Sequence, residues 1–324
     1  MSVGINGLGR IGKTIFKLLL DQNIKVSLIN DPKITVEYVI YSLQYDTVYG
    51  RGIKAVKKDN GIEVNGMYVE IQHHLNPSEI NWRNFNVEIV VEASGCFNKQ
   101  ELALKHNVNN IICTGPSEDI KMIVYGVNEN EIDMNLISAA SCTTNCAVPI
   151  LKVIDDRFKI KEGALNTIHA VTATQNTVDG FKTNFRAGRS MLNIIPSTTG
   201  ATNAIEKILP QLKNKMKGVS MRVPVVDVSV LDLTISTEKG ILSMDEVRKT
   251  IEESEMFRMG ILSLTDDQVV SSDFIGERSS CVVDISASFL ISENFIKLIC
   301  WYDNEFGYSC RVIDLIKHIS SRKK

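Results

Sequence analysis

Val3-Gly4-Ile5-Asn6-Gly7-Leu8-Gly9-Arg10-Ile11-Gly12 reads as a short strand that turns tightly into a helix. Glycines at such spacing let the backbone turn, let it approach a ligand closely, and let the helix pack on the strand. The residues after Gly12 supply the context that the glycines alone lack. Apolar residues recur at Ile11, Ile15, Leu18 and Leu19, and a second strand over 25–30 ends at Asp31. A pyrophosphate suits the helix N-terminus, where peptide N–H groups and the dipole favour an anion, and a carboxylate roughly 20 residues on suits the adenosine ribose hydroxyls. Gly7, Gly9, Gly12 and Asp31 are therefore candidate dinucleotide-binding residues. Without the glycines, Asp31 ahead of Pro32 would be read as a turn residue.

Further strands are expected over 87–92, 110–114, 122–127 and 136–138, each short and rich in Val or Ile as buried parallel strands are. Ser94-Gly95 and Thr114-Gly115 fall just past strand ends, where open α/β sheets place their ligands. Loop capping explains Ser94 and Thr114 equally well when each is taken alone. The fold class read from this half is α/β, a Rossmann doubly wound parallel sheet.

At 324 residues the chain exceeds one typical core and fits two domains. A formal net charge of −2 excludes a general affinity for nucleic acid or an acidic membrane, and Arg322-Lys323-Lys324 is the longest basic run. Seven cysteines, an odd number scattered through apolar segments, fit reduced thiols better than a disulfide framework. Only three residues precede Gly4 and no apolar stretch is long enough to span a bilayer, so a cytoplasmic enzyme is the expectation.

The second decisive stretch is Ala140-Ser141-Cys142-Thr143-Thr144-Asn145-Cys146. Small and hydroxylated residues suit an N-cap and first turn, so Cys142 would lie where a helix begins and its thiolate would be favoured. A buried structural pair is the bland alternative. A metal site is not expected, because no Cys or His follows Cys146 until His169. The helix should continue past Ile150, Leu151 and Ile154, bent at Pro149. Longer alternating segments at 164–172, 222–236, 281–290 and 295–301 then predict a second, α+β domain with a mostly antiparallel sheet, with a helix over 244–254 and an amphipathic C-terminal helix over 306–320. His73, His74, His106 and His318 read as surface residues. His169 differs, because hydroxyls and imidazole alternate with apolar side chains in Asn166-Thr167-Ile168-His169-Ala170-Val171-Thr172, and a Cys with a His is the arrangement for an activated thiolate. Anion-binding candidates are Thr172, Thr199-Gly200, Arg222 and the basic loop with Lys182, Arg186 and Arg189.

These segments, with 194–200, 221–234, Ser271-Ser272-Asp273-Phe274 and 301–311, resemble phosphorylating glyceraldehyde-3-phosphate dehydrogenase over essentially the whole chain. The resemblance implies that Cys142 attacks the aldehyde of glyceraldehyde 3-phosphate, that His169 is the base, and that hydride passes to NAD before inorganic phosphate cleaves a thioester. It implies that Thr172 and Arg222 hold the substrate phosphate, and that Ser141, Thr143, Thr199 and Gly200 hold the attacking phosphate. Arg10, Ile11, Asp31, Ser94, Gly95, Thr114, Asn304 and Tyr308 take cofactor positions, with Asn304 on the carboxamide and Tyr308 beside the ring. It further implies a homotetramer. The division would be 1–141 with 306–324 for NAD, and 142–305 for the substrate. The loop Phe181-Lys182-Thr183-Asn184-Phe185-Arg186-Ala187-Gly188-Arg189 is shorter than the family's and lacks a Pro after Gly180. Two other readings are an erythrose-4-phosphate dehydrogenase and a dinucleotide-binding scaffold without catalysis.

Overall fold

The computed structural model describes residues 1–133, 135–173 and 175–322. Thr174, within the family-like segment 169–180, and Lys323 and Lys324 of the basic end lie outside the described residues. The chain forms two compact units, Met1–Ser141 with Ser309–Lys324, and Cys142–Tyr308. Among the described residues no helix is long and apolar enough to cross a membrane.

The first unit holds an eight-stranded sheet. From one edge its strands are Leu136–Ser138, Asn110–Cys113, Ile89–Glu92, Ser2–Asn6, Lys25–Asn30 and Met67–Gln72, all parallel to their neighbours, and then the antiparallel strands Gly61–Val64 and Val56–Lys58. Ser2–Asn6 is central and buried throughout, as its Val3 and Ile5 require. It pairs with the second strand on one side and with Ile89–Glu92 on the other, so the chain order reverses direction at this strand. Asn6, Asn30 and Glu92 close the carboxyl ends of these three strands, which is where such sheets bind ligands.

The strand expected over 122–127 does not form, and only a single bridge joins Met122 to Ser138. The cause is Asn128. Its side-chain oxygen accepts from the Val124 N–H at 2.8 Å and its amide donates to the Met122 carbonyl at 3.1 Å, so one side chain satisfies the groups a ladder would have used.

The second unit is built on a seven-stranded sheet in the order Ile195–Ser197, Met216–Val223, Ile160–Ala170, Ser229–Thr237, Phe295–Tyr302, Cys281–Ser292 and Leu262–Thr265. Antiparallel pairs predominate, but Ile160–Ala170 runs parallel to Met216–Val223, and Leu262–Thr265 parallel to Cys281–Ser292. The single segment expected over 222–236 is two strands. Pro224 brings no N–H to a ladder and Val228 adopts a left-handed φ of 64°, so the chain leaves the sheet between them. The helix expected over 244–254 stops at Glu252, because Ser254 caps a second short helix by accepting from the Phe257 N–H at 3.1 Å. Cys142–Phe158 continues through Pro149 and packs on the Ser229–Thr237 and Cys281–Ser292 strands.

Candidate functional site

The glycine loop is built as its chemistry demands. Gly7 has a φ of +90°, and a Cβ there would lie 2.5 Å from the Ser94 backbone; a Cβ at Gly12 would lie 2.0 Å from the Gly7 carbonyl oxygen. A Cβ at Gly9 would meet nothing within 4 Å. That space opens at the start of the helix Arg10–Asp21, which no side chain caps and whose first turn carries no acid. An anionic pyrophosphate fits such a place. Asp31 is fixed on both oxygens, accepting from the Leu8 N–H at 3.0 Å and the Lys33 N–H at 2.9 Å. Arg10 is held by Asp46, which also pairs with Lys13; burial raises the Asp46 carboxyl, but these two cations outweigh it and keep it well below the usual carboxylate range. Ile11 is the next residue of the same helix, half-buried. Gly95 comes directly after Ser94 with a φ of +73°.

Ser94 and Thr114 use their hydroxyls locally, on the Glu92 carboxylate and the Glu92 carbonyl. The expectation that His106 is a surface residue is wrong. It is 1% exposed, stands 2.8 Å from the Glu92 carboxylate through Nε2, and faces the Trp82 indole N–H through Nδ1 at 3.2 Å. An indole only donates, so Nδ1 accepts and Nε2 carries the proton given to Glu92. Asn6 donates to the other side of the network, to Glu92 at 2.6 Å, and accepts from Asn30 at 2.8 Å. Sequence reasoning missed Glu92 and His106; the signal was a single acid closing the apolar run Ile89-Val90-Val91-Glu92. Replacing His106 by Leu strands the indole N–H and leaves the buried Glu92 carboxylate with Asn6 and Ser94 only, at an expected cost of about 3 kcal/mol in urea unfolding. A loss under about 1 kcal/mol would mean that both groups find other partners.

Cys142 is the first residue of the second unit and of its helix, and Ala140, two residues earlier in the chain, holds a left-handed φ of 55°, a strained conformation for a residue with a Cβ. Thr167 and His169 share the buried face of the Ile160–Ala170 strand. The Tyr302 hydroxyl lies 2.7 Å from Thr167 Oγ1 and 3.0 Å from Thr143 Oγ1, tying this strand to the first turn of the Cys142 helix. Tyr302 was not anticipated. Through this tie Cys142 Sγ stands 3.5 Å from His169 Nε2. On the other edge the parallel register sets Arg222 opposite His169, and Arg222 Nη1 reaches His169 Nδ1 at 2.6 Å and donates to the Ala170 carbonyl at 3.1 Å. The same carbonyl oxygen lies 2.7 Å from His169 Nδ1.

Burial pushes the Cys142 thiol up, against the pull of the Arg222 charge and of Thr143. Burial and then the Arg222 charge pull His169 down to about 4. The helix start and the Arg222 charge favour the Cys142 thiolate, and burial opposes them.

Thr172 lies just past the His169 strand, its N–H donating to Gln175 at 3.2 Å. Ile195 pairs with Arg222 on the far side, and the chain then runs through Thr199, which accepts from the Ala201 N–H, and exposed Gly200 into the helix Ala201–Ile208. Ser141 precedes Cys142 and is half-buried, whereas the Thr143 hydroxyl is taken by Tyr302. Of the basic loop, Arg189 pairs with Asp179 and Arg186 reaches the Pro196 carbonyl, both exposed. Ala170 N–H donates to Ser229, whose hydroxyl donates to the Asn304 side-chain oxygen at 2.7 Å, so Asn304 keeps its amide NH2 as the group to offer a carbonyl. Tyr308 lies in the first turn of Phe306–Ser321 and is buried.

The model of the glyceraldehyde 3-phosphate dehydrogenase NAD-binding domain matches residues 1–100, and that of the same enzyme's C-terminal domain matches residues 141–304. Cytosolic glyceraldehyde-3-phosphate dehydrogenases of Sinapis alba and Pisum sativum are each 45% identical to the chain, over 99% of it and 98% of their own length. The cytosolic enzyme of Ginkgo biloba is 46% identical with the same coverage. Two domain matches in chain order, with such identity across almost the full length, make this chain a member of the glyceraldehyde-3-phosphate dehydrogenase family.

Proposed function

We propose that the chain oxidises glyceraldehyde 3-phosphate with NAD and inorganic phosphate to 1,3-bisphosphoglycerate in glycolysis, and that it does so in the cytosol, where the names of the relatives place them. The observation that carries this reading is the contact of Cys142 Sγ with His169 Nε2 at 3.5 Å beside the Arg222 guanidinium. Cys142 sulfur forms a bond to the aldehyde carbon while its proton leaves for His169. His169 returns that proton to the oxygen, giving the hemithioacetal hydroxyl, and takes it again as the carbonyl of a thioester forms. Bound NAD would supply the hydride acceptor for that carbon. A phosphate oxygen attacks the thioester carbon, the C–S bond breaks, and Cys142 leaves as a thiolate.

Thr172 and Arg222 are assigned to the substrate phosphate, and Ser141, Thr143, Thr199 and Gly200 to the attacking one, Thr143 through its backbone because its hydroxyl is engaged. Gly7, Gly9, Arg10, Ile11, Gly12, Asp31, Ser94, Gly95 and Thr114 are assigned to the dinucleotide, Asn304 to the carboxamide and Tyr308 to the nicotinamide side. The NAD role goes to 1–141 with 306–324 and the substrate role to 142–305. Absorbance at 340 nm with the triose phosphate, NAD and phosphate tests the activity. Equal or faster initial rates on erythrose 4-phosphate would favour that neighbouring activity.

A homotetramer is proposed with it. Phe181, Phe185 and Leu192 are 85%, 80% and 89% exposed in one loop, apolar side chains that a neighbouring subunit would cover. Sedimentation at micromolar concentration should give four chains per particle, and a monomer would refute this.

NAD should lead NADP by about 10²-fold in kcat/KM, because Asp31 is fixed where a 2′-phosphate would lie, and like charges a few ångströms apart repel by a few kcal/mol. Lys33 is exposed and engages Asp31 through its backbone N–H. Asp31→Ala should narrow the gap; equal use of both cofactors by wild type would show that nearby lysines win.

A further inference from the structure

We propose that Ser229 is a positioning residue for the cofactor: its hydroxyl holds the Asn304 amide with the NH2 group turned away from Ser229, so that the site reads the carbonyl of a carboxamide and not its amino group. The inference rests on the assignment of Asn304 to the carboxamide proposed above, and it names the residue that makes that assignment one-sided.

The arrangement begins where a ladder stops. The strands Ile160–Ala170 and Ser229–Thr237 pair as far as Ile168 and Val230, and Val228 then turns the chain aside with a φ of 64°. Ala170 N–H lies past the end of this pairing and donates to Ser229 Oγ at 3.1 Å. A peptide N–H only donates, so it takes a lone pair of the hydroxyl and leaves the hydroxyl hydrogen to be placed. Ser229 is fully buried, and its one other side-chain partner among the described residues is Asn304 Oδ1 at 2.7 Å. The hydrogen goes to Asn304.

An amide turned end for end keeps its shape and reverses its chemistry. With NH2 toward Ser229, the hydroxyl would accept twice and its hydrogen would be buried without an acceptor, which disfavours that form about 10- to 100-fold. Nothing else distinguishes the two ends, because the Asn304 amide has no other hydrogen bond among the described residues. Its main chain is already fixed by the preceding residue. Asp303 accepts from the Glu305 and Phe306 N–H groups at 2.9 and 2.7 Å through one oxygen, and from the Gly276 N–H at 2.8 Å through the other. The turn of the buried amide is the freedom that remains, and Ser229 settles it. The donors then run one way, from Ala170 N–H through Ser229 O–H to the Asn304 amide, each polarising the next. They start on the residue whose carbonyl receives the Arg222 guanidinium, so the end of the base-bearing strand and the amide are placed together.

A purely structural Ser229 would cap Ala170 and leave cofactor preference alone, so the test reads preference. Dissociation constants of NAD and of thionicotinamide adenine dinucleotide are measured by calorimetry on the full-length chain. The thioamide has a poorer acceptor in its sulfur and a stronger N–H donor than the amide. An NH2 group facing the cofactor should therefore favour NAD over the analogue by about three- to tenfold in wild type. In Ser229→Ala both amide orientations are available, so NAD should bind about threefold weaker and the preference should fall below about twofold. Asn304→Asp offers only acceptors and should reverse the preference. No preference in wild type, or a wild-type preference kept by Ser229→Ala while Asn304→Asp reverses it, overturns the inference alone. An unchanged preference in Asn304→Asp defeats the carboxamide assignment with it, and a wild type that binds neither compound defeats the dinucleotide reading. Because Ser229→Ala strands a buried N–H and can misfold, neutron diffraction of the wild type provides an independent reading. The Ser229 hydroxyl deuteron should point at Asn304, with the amide deuterons on the Asn304 atom turned away from it; amide deuterons on the near atom overturn the inference as well.

Discussion

Cys142→Ser is expected to lower phosphate-dependent NAD reduction by at least about 10³-fold, while Cys146→Ser keeps most of the activity. A hydroxyl lies several pH units further from ionisation than a thiol and is the poorer leaving group from an acyl enzyme, so both the attack and the final cleavage suffer. Cys146 is one turn on and fully buried, and burial pushes its thiol up, so it neither reaches solvent nor ionises readily. Steady-state rates at pH 8 for the two variants check this. Wild-type activity in Cys142→Ser would end the covalent mechanism, and total loss in Cys146→Ser with an unaltered melting temperature would move the nucleophile.

His169→Asn should slow turnover by about 10²–10⁴-fold with little change in NAD affinity, because only the base is removed. The same variant carries a second, opposite signature. The folded-state value near 4 lies below the ordinary value of 6.5, so the native fold favours neutral His169. Above pH 6.5 folded and unfolded chains are both neutral at this residue and nothing is lost; as pH falls from 6.5 to 4 the unfolded chain gains a proton that the native one resists. Wild type should therefore lose up to about 3 kcal/mol over that window that the Asn variant does not lose. Urea unfolding of both proteins across the window measures the difference. Parallel stability curves would mean that His169 ionises freely in the native fold.

The inner strands of both sheets were legible in the residues because their causes are local, whereas Val56–Lys58, Gly61–Val64, Met67–Gln72, Ile195–Ser197 and Leu262–Thr265 were not expected. The glycines at 7, 9 and 12 specify a strand, a turn and a helix within ten residues, and Thr167 and His169 share a face by strand period. What escaped is long-range. His106 sits beside Lys105, and its partners Trp82 and Glu92 lie 24 and 14 residues away, with the Phe97 ring edge-on to it. Residues 122–127 have strand-like composition, yet Asn128 takes their hydrogen bonds. The seating of Arg222 on His169 comes from a parallel register that no periodicity announces. The upward push of burial on the Cys142 thiol depends on how much protein surrounds the sulfur, which a helix-start motif does not encode.

The buried chain from Trp82 through His106, Glu92 and Asn6 to Asn30 ends one residue before Asp31. The backbone leading into Asp31, proposed above to hold the adenosine ribose, is consequently ordered when the protein folds and would not wait for the dinucleotide. Binding then forfeits little conformational entropy at that end of the ligand, and affinity arises from preorganisation more than from new contacts. Warming that loosens this interior chain should erode cofactor affinity below the temperature at which the domain melts, so that saturation with NAD is lost before the fold is.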